Sequence, residues 1–206
     1  MSLTLHDGQL IGVVGRVASG KSSLLATILG ETELSGGQIT VNGTYVEQEP
    51  CIMTDSVRSN ITFGLPLDED RLRAVVDVCQ LRKDVEAFPR GLDTLIGERG
   101  INISGGQRAR ISLARACYSQ ADVFLLDDPL SAVDPEVAGR IFSECLRGYL
   151  REKAILLVTH QTRFLSEMDE IIVLEDGEQV FKGTYEEFEK RGMEMRSWSQ
   201  RRPANQ

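Results

Sequence analysis

The sequence predicts an α/β protein in which helices cover a mostly parallel sheet and an α-helical lobe is inserted into this core. Apolar runs of strand length alternate with segments of helical spacing. These runs lie around Leu10, Val123, Ile155 and Ile171. Such alternation is typical of a parallel sheet with helices on its faces. We therefore expect a core over 1–49 and 119–195, a helical lobe over 50–118 and a mobile tail over 196–206.

The core elements have recognisable boundaries in the sequence. The first strand is expected over 10–14, followed by a loop and by a helix over 21–29. A later helix has a clear start, because Asp134 can cap it and Pro135 suits its first turn. Apolar residues at every fourth position of that helix predict one buried face. They are Val137, Ile141, Cys145 and Tyr149.

Further local signals place elements in the lobe and near the C-terminal end. The lobe contains a helical face of four apolar residues. They are Leu72, Val75, Val76 and Cys79. Asp176-Gly177 between two apolar runs predicts a hairpin turn. Thr184 and Glu187 have the spacing of a capping box, so we expect a last helix to begin there.

Composition limits the class of protein. With 206 residues, 41% of them hydrophobic, the chain is long enough to bury one core. Its net charge of −8 is not collected into a block of either sign. A basic surface is the usual mark of a nucleic-acid partner, so we expect no nucleic acid to bind.

The cysteines and apolar runs indicate the cellular setting. Cys51, Cys79, Cys117 and Cys145 lie far apart in the sequence. There is no close Cys or His pair among them, so the sequence predicts no zinc site. We expect reduced, mostly buried thiols in a cytosolic protein. The longest apolar runs have strand length, whereas a membrane-spanning helix needs about 20 residues. The N-terminus has no signal-peptide pattern, so we expect a soluble fragment that crosses no membrane itself.

A phosphate-binding loop is predicted after the first strand. Gly15-Arg16-Val17-Ala18-Ser19-Gly20-Lys21-Ser22 has two glycines around four residues, followed by Lys-Ser. Backbone N–H groups of such a loop surround a β-phosphate, and the following helix directs its positive end at the anion. Lys21 would reach the β- and γ-phosphates and Ser22 would bind Mg²⁺. We count Ser23 with these residues, and expect a RecA-like P-loop NTPase core.

Two later strands end in candidate catalytic residues. Asp127 and Asp128 follow the run at Val123, where Asp127 would hold Mg²⁺ through water and Asp128 would orient or deprotonate the attacking water. An acidic turn after a strand is the structural alternative. His160 follows the Ile155 strand and would contact the γ-phosphate, although a lone histidine is more often structural.

A second phosphate site is predicted within the lobe. Ser104-Gly105-Gly106-Gln107 precedes a helix over 108–116, and a helix N-terminus with bare N–H groups is an anion site. Ile103 and these residues form ISGGQ, which resembles the LSGGQ signature of ABC ATPases. The resemblance implies that Ser104, Gly105, Gly106 and Gln107 bind the γ-phosphate of a nucleotide on a partner domain's P-loop, in a head-to-tail dimer.

Further motifs follow the order of the ABC family. Gln48 in Tyr45-Val46-Glu47-Gln48 is similar to the Q-loop glutamine, which touches Mg²⁺ and communicates with the membrane domain. Ser131-Ala132-Val133-Asp134 resembles the D-loop, and His160 the switch histidine. The resemblance implies ATP and Mg²⁺ as cofactors, and catalytic roles for Gln48, Asp128 and His160.

Within the family, the resemblance is to the first nucleotide-binding domain of C-subfamily, multidrug-resistance-associated exporters. It rests on the run 126–134 and on Gly97-Glu98-Arg99-Gly100. Glu98-Arg99-Gly100 is similar to the exporter loop that meets the coupling helices of the membrane domains. The resemblance implies an ATPase that drives transport at the cytoplasmic face of a membrane, with a second nucleotide-binding domain and the membrane domains as partners.

The sequence departs from the family pattern in three places. Asp128 stands where active members carry glutamate, so we expect slow or degenerate hydrolysis at this site. The chain opens at a strand expected around Leu3, so it is truncated relative to the family and lacks the upstream aromatic residue that stacks on adenine. The segment before Gln48 is shorter than in relatives and has Glu47 where proline is usual.

Two other functions compete with the exporter motor. One is an ABC ATPase that remodels nucleic acid or ribosomes. The short lobe between Gln48 and Ser104 speaks against the coiled-coil chromosome-maintenance type, and ribosome-associated relatives usually carry two such domains. The other is a regulatory module that holds ATP without splitting it, which the Asp128 departure favours.

Overall fold

A six-stranded sheet forms the centre of the protein. The computed structural model describes residues 3–32, 36, 38–39, 43–97 and 101–192. The strands are β1 (Leu10–Gly15), β2 (Gly43–Val46), β3 (Asp55–Ser56), β4 (Leu95–Ile96), β5 (Val123–Asp127), β6 (Ala154–Val158), β7 (Glu170–Glu175) and β8 (Glu178–Gly183). The large sheet has the order β2-β5-β6-β1-β7-β8, and β3 pairs with β4 separately. Among the described strands of the large sheet, only the β7–β8 pair is antiparallel, which confirms the mostly parallel α/β fold.

Helices cover this sheet and fill the chain between β2 and β5. The α-helices are α1 (Lys21–Ile28), α2 (Val57–Thr62), α3 (Glu69–Val78), α4 (Arg82–Ala87), α5 (Gly105–Tyr118), α6 (Pro135–Arg140) and α7 (Tyr185–Lys190). Short 3₁₀ turns lie at Gly91–Asp93 and Thr162–Glu167, and a π-helix spans Ile141–Tyr149. Four of the α-helices, α2 to α5, lie where the sequence predicts a helical lobe.

The two faces of the sheet carry different parts of the core. Strands β1 and β6 are buried along their whole length, which requires apolar side chains on both faces. On one face, Ile11 and Val13 join a cluster with Leu25 of α1. On the other, Leu10 and Val14 belong to a larger cluster that continues into the helices between β2 and β5. The sheet therefore lies between the two hydrophobic clusters and contributes side chains to both.

Most local signals in the sequence are confirmed. The Asp134 side chain accepts the N–H of Glu136 at the start of α6, where Pro135 occupies the first turn. A turn with positive φ at Asp176 and Gly177 joins β7 to β8. The capping box at the start of α7 is formed by Thr184 and Glu187. The four residues of the α3 face are all buried.

Two expectations about elements are wrong. Tyr149 does not complete a buried face with Ile141 and Cys145, because it is 40% exposed. The helix changes to π geometry at Ile141, and its i→i+5 bonds, such as Leu150 N–H to Cys145 O (2.8 Å), break the four-residue period. Leu150 is buried in place of Tyr149. Residues 3–9 contain no strand, so the strand expected around Leu3 is absent from the described chain.

The cysteines are free thiols, and three of them are buried. The cysteines are far apart along the chain, yet three of them meet in the fold. The sulfurs of Cys79, Cys117 and Cys145 all lie within 4.8 Å of one another. They come from α3's C-terminal end, α5 and the π-helix, so tertiary packing brings them together. Cys51 is exposed and lies apart from this group.

The described residues include no helix that is both long and apolar enough to cross a membrane. The tail expected to be mobile over 196–206 lies outside the described residues.

The Tyr118 hydroxyl links two segments of the lobe and yields a stability prediction. It accepts the Asp68 N–H (2.8 Å) and donates to Pro66 O (2.7 Å), while the ring is fully buried. Tyr118→Phe leaves both backbone groups without this partner, so we expect the free energy of unfolding to fall by about 1–3 kcal/mol. Thermal unfolding should show a fall of about 2–4 °C per kcal/mol.

Tyr149→Phe is the matched control for this prediction, because it removes the same atom from an exposed side chain. We expect its effect to stay within about 0.5 kcal/mol. Equal melting temperatures for Tyr118→Phe and the wild-type chain would contradict the role of the hydroxyl.

Candidate nucleotide-binding site

Four neighbouring parallel strands end at one edge of the sheet and supply the candidate site. The P-loop follows β1, Gln48 follows β2, Asp128 follows β5 and His160 follows β6. The carboxyl edge of a parallel sheet is the usual place for a ligand. A cleft of about 360 Å³ opens there. It is lined by Val17, Ala18, Gly20, Lys21, Ser22, Ser23, Gln48, Asp127, Asp128 and His160.

The P-loop has the backbone of a phosphate cradle. Gly20 precedes α1 with φ +97°, a conformation that side chains other than glycine's rarely adopt. Ala18 also has positive φ, at 64°. The chain therefore turns tightly before α1 begins at Lys21. The first residues of α1, Lys21, Ser22 and Ser23, line the cleft. Bare N–H groups and the helix dipole favour an anion at such a position.

The Lys21 ammonium lies at the centre of the loop. It donates to Gly15 O (3.0 Å) and to Arg16 O (2.6 Å), and its Nζ lies 3.4 Å from Ser19 Oγ. Only 6% of the lysine is exposed. Burial lowers the pKa of Lys21, while the nearby carboxylates of Asp127 and Asp128 oppose this effect and raise it. A buried cation is thus available for a strongly anionic ligand.

Asp128 sits in a strained and enclosed position at the end of β5. Its φ is +45°, and its N–H donates to Val158 O (2.9 Å) on the neighbouring strand β6. Its Oδ1 accepts the Thr159 hydroxyl at 3.3 Å. Burial raises the pKa of Asp128, and the charge and backbone N–H of His160 partly offset this effect. Both Asp127 and Asp128 are 4% exposed.

The signature residues lie at the start of α5 and do not line the cleft. Ser104 caps the helix: its Oγ accepts the Gln107 N–H (3.1 Å), and Gln107 Oε1 accepts the Ser104 N–H (2.8 Å). A Cβ at Gly106 would lie 2.9 Å from Ala132 O, so only glycine fits against this backbone. The signature therefore contacts the segment after Asp128 that resembles the D-loop.

Two polar residues of this region were not predicted from the sequence. Thr159 bonds to Asp128, and its only sequence signal is its place before His160. Asp84 accepts Gln107 Nε2 (2.8 Å) through one oxygen and Arg110 Nη2 (2.8 Å) through the other. It holds the first turn of α5 from another helix, α4. Glu98, Arg99 and Gly100, expected to meet coupling helices, lie outside the described residues.

Comparison with known proteins agrees with this geometry. The fold and cleft define a P-loop nucleotide-binding domain, and residues 1–131 match the family described as "ABC transporter". The chain belongs to the ABC transporter family, whose domains of this type bind ATP, and its relatives are C-subfamily proteins.

Three relatives illustrate the similarity. The chain is 47% identical over 199 residues to human "ATP-binding cassette sub-family C member 4", covering 96% of the chain and 15% of the relative. It is 46% identical over 195 residues to the Drosophila melanogaster "Probable multidrug resistance-associated protein lethal(2)03659", covering 94% and 14%. It is 49% identical over 195 residues to "Multidrug resistance protein mrp-7" of Caenorhabditis elegans, covering 93% and 13%. The chain thus spans a small part of each relative.

Burial of Asp128 yields a prediction about stability and pH. A carboxyl whose pKa is raised by folding destabilises the fold while it is ionised, and this penalty disappears as pH falls towards the ordinary pKa of 3.8. We therefore expect Asp128→Asn to raise the melting temperature at pH 7.5. The gain should shrink at pH 4.5.

Asp70→Asn removes a charge from an almost fully exposed carboxylate and is the control. We expect it to change the free energy of unfolding by less than about 0.5 kcal/mol. Thermal unfolding followed by circular dichroism, with no nucleotide added, measures both variants. Destabilisation by Asp128→Asn at pH 7.5 would show that the ionised carboxylate is stabilising.

Proposed function

We propose that this chain is the ATP-binding and ATP-hydrolysing motor domain of an ABC exporter. One observation carries the proposal: a single cleft joins the buried ammonium of Lys21, the Ser22 hydroxyl and the carboxylates of Asp127 and Asp128. These are the kinds of group that bind a nucleoside triphosphate and its Mg²⁺ and orient the attacking water. The family match and the multidrug-resistance relatives support ATP and transport as the setting.

The P-loop residues would hold the phosphates of ATP. Their backbone N–H groups would surround the β-phosphate, and the Lys21 ammonium would exchange loop oxygens for oxygens of the β- and γ-phosphates. The proposed phosphate-binding set is Gly15, Arg16, Val17, Ala18, Ser19, Gly20, Lys21, Ser22 and Ser23. Since Lys21 is held in place by the loop itself, little ordering would be needed when a nucleotide binds.

Mg²⁺ fits the donors at this cleft. Ser22, Gln48 and Asp127 offer a hydroxyl, an amide oxygen and a carboxylate, which are the hard oxygen ligands that Mg²⁺ prefers, and all three line the cleft. When bound, Mg²⁺ supplies positive charge to the β- and γ-phosphate oxygens. Ser22 and Gln48 would hold the ion directly and Asp127 through water.

Asp128, Gln48 and His160 are the proposed catalytic residues. Asp128 would orient or deprotonate the attacking water, and the exposed His160 would contact the γ-phosphate. Aspartate is one methylene shorter than glutamate, and the hydrogen bonds around Asp128 fix it close to the sheet. We propose that this site hydrolyses ATP slowly or is degenerate. A site that mainly holds ATP, as in a regulatory module, is the second candidate and rests on the same observation.

A second copy of the fold would complete the site from the opposite side. Ser104 is exposed, and the start of α5 does not line the chain's own cleft. Ser104, Gly105, Gly106 and Gln107 would bind the γ-phosphate on a partner nucleotide-binding domain. Two such domains arranged head to tail would enclose two ATP molecules. The exposed Val17 at the P-loop tip would lie within this interface.

The lobe would contact membrane domains. Exposed large apolar side chains follow Gln48 in the chain and are candidates for this contact. They are Met53, Phe63, Leu65, Leu67 and Leu95. Phe63 has φ +48° and lies 4.5 Å from the Arg115 guanidinium, which holds the ring in place. The coupling helices of the transporter are the proposed partner, at the cytoplasmic face of a membrane.

We propose that the core and the lobe have different roles. The core over 1–49 and 119–195 would carry the nucleotide cleft, and the lobe over 50–118 would carry the signature and the membrane contact. With a net charge of −8, the chain is a poor partner for nucleic acid. We therefore do not favour a nucleic-acid remodelling role.

Loss of the Lys21 ammonium tests the phosphate cradle. Charge-assisted hydrogen bonds contribute about 1.5–3 kcal/mol each. We expect Lys21→Ala to raise the Kd for MgATP about 10-fold to 100-fold, measured by isothermal titration calorimetry. Lys83→Ala removes an exposed lysine of α4 and should leave the Kd unchanged. An unchanged Kd in a folded Lys21→Ala variant would remove the assignment of the cradle.

A longer carboxylate at position 128 tests the account of slow hydrolysis. A positioned general base contributes about 10²–10⁴-fold to a rate. We expect Asp128→Glu to raise the rate of phosphate release within that range once a closed dimer forms. The assay therefore needs high protein concentration or the domain within its transporter. An unchanged rate there, together with loss of activity in His160→Ala, would identify the histidine as the limiting group.

A further inference from the structure

Three thiols that play no part in the nucleotide cleft meet inside the fold. Cys79 is the C-cap residue directly after α3, Cys117 lies in the last turn of α5 and Cys145 lies in the π-helix. The sulfurs of Cys117 and Cys145 are 3.5 Å apart, and all three sulfurs lie within 4.8 Å of one another. All three residues are buried and free. We call them the three-sulfur cluster.

The spacing of the three-sulfur cluster fits one central atom. A thiolate sulfur lies about 2.3 Å from a bound metal, so three sulfurs around one centre lie at most about 4 Å apart. The observed separations reach this value with small side-chain movements. Within 3–32, 43–97 and 101–192, no histidine or carboxylate completes a fourth position. Structural zinc needs four ligands, so the cluster is one short for zinc.

Charge balance determines which kind of central atom or ion the three-sulfur cluster can bind. Three thiolates carry three negative charges, so a monovalent ion leaves two of them uncompensated and a divalent ion leaves one. A trivalent centre leaves none. The three cysteines belong to the large hydrophobic cluster, where an uncompensated charge is costly. Burial raises the pKa of the Cys79 thiol, which disfavours an unpaired thiolate at that position.

We propose that Cys79, Cys117 and Cys145 form a binding site for a trivalent thiophilic metalloid, for which arsenite is the probe. Arsenite enters as neutral As(OH)₃. Three As–O bonds break and three As–S bonds form, and the three thiol protons leave with the hydroxides as three water molecules. No electron is transferred, and the bound product is neutral. Soft thiolate donors are the ligands that such a centre selects.

The π-helix gives the site a route to solvent. Its hydrogen bonds have i→i+5 geometry, a rare form that is frequently found at functional sites. Cys145 lies within it, and the exposed Tyr149 lies one turn further along. Local opening of this segment would expose the sulfurs, so binding should be slow compared with diffusion. Once bound, one atom would join α3, α5 and the π-helix.

The first test is native mass spectrometry of the whole chain after incubation with arsenite. We expect one arsenic per chain, with the mass of one arsenic gained and three hydrogens lost. Cys51→Ser is the matched control and should bind equally, because that thiol is exposed and lies apart from the cluster. Cys79→Ser, Cys117→Ser and Cys145→Ser each remove one As–S bond and should weaken binding by more than the roughly 10-fold to 100-fold that loss of an outer-shell partner costs. Binding that requires Cys51 would overturn the proposal.

The second test does not depend on variants that could fail to fold. X-ray absorption at the arsenic edge of the loaded wild-type chain should show three sulfur neighbours and no oxygen. Two sulfurs and one oxygen would overturn the proposal, as would the absence of an adduct after refolding in arsenite. Zinc binding at lower concentration than arsenite would overturn the charge argument. None of these outcomes depends on ATP, so they leave the proposed motor function untouched.

Discussion

The parallel pairing of β2, β5, β6 and β1 is the constraint on which the rest of the structure depends. Parallel strands that are buried on both faces accept only apolar side chains along their length. The polar groups of the cleft therefore lie at the carboxyl ends of the strands or in the segments that follow them. The four strands end side by side, so four sequence-distant segments form one cleft. The same pairing that excludes water from the core thus brings the proposed phosphate-binding groups together at its edge.

The parts of the fold that the sequence predicted are those with a local cause. An apolar run followed by a glycine-containing loop predicts β1 and the P-loop. The helix caps at Asp134 and Thr184 depend on side chains within three residues of each helix start. Asp128 and His160 were candidates because each comes two residues after the end of an apolar run. Their meeting in one cleft then follows from parallel strand order, which the alternating pattern implies.

The features that the sequence did not predict arise from long-range packing or from a change of period. Tyr149 has the right spacing for an α-helix, and nothing nearby signals the switch to i→i+5 bonds at Ile141. The cysteines of the three-sulfur cluster come from three helices, so their approach depends on how those helices cross. Asp84 supports Gln107 from α4 in the same way. The spacing of residues within one helix or strand does not indicate such contacts between elements.

The large hydrophobic cluster crosses from the lobe to the sheet without a break. Leu72 of α3 and Tyr118 of α5 belong to the same cluster as Phe142 of the π-helix and Ile155 of β6. Among the described residues, the interior of the lobe is therefore continuous with that of the sheet, as expected for parts that unfold together. In evolutionary terms, the lobe is not an interchangeable module: recombination between distant relatives at its borders would bring together halves of two different cores. Buried residues on the two sides of the border share one cluster, so the effects of substitutions there are expected to be coupled rather than additive.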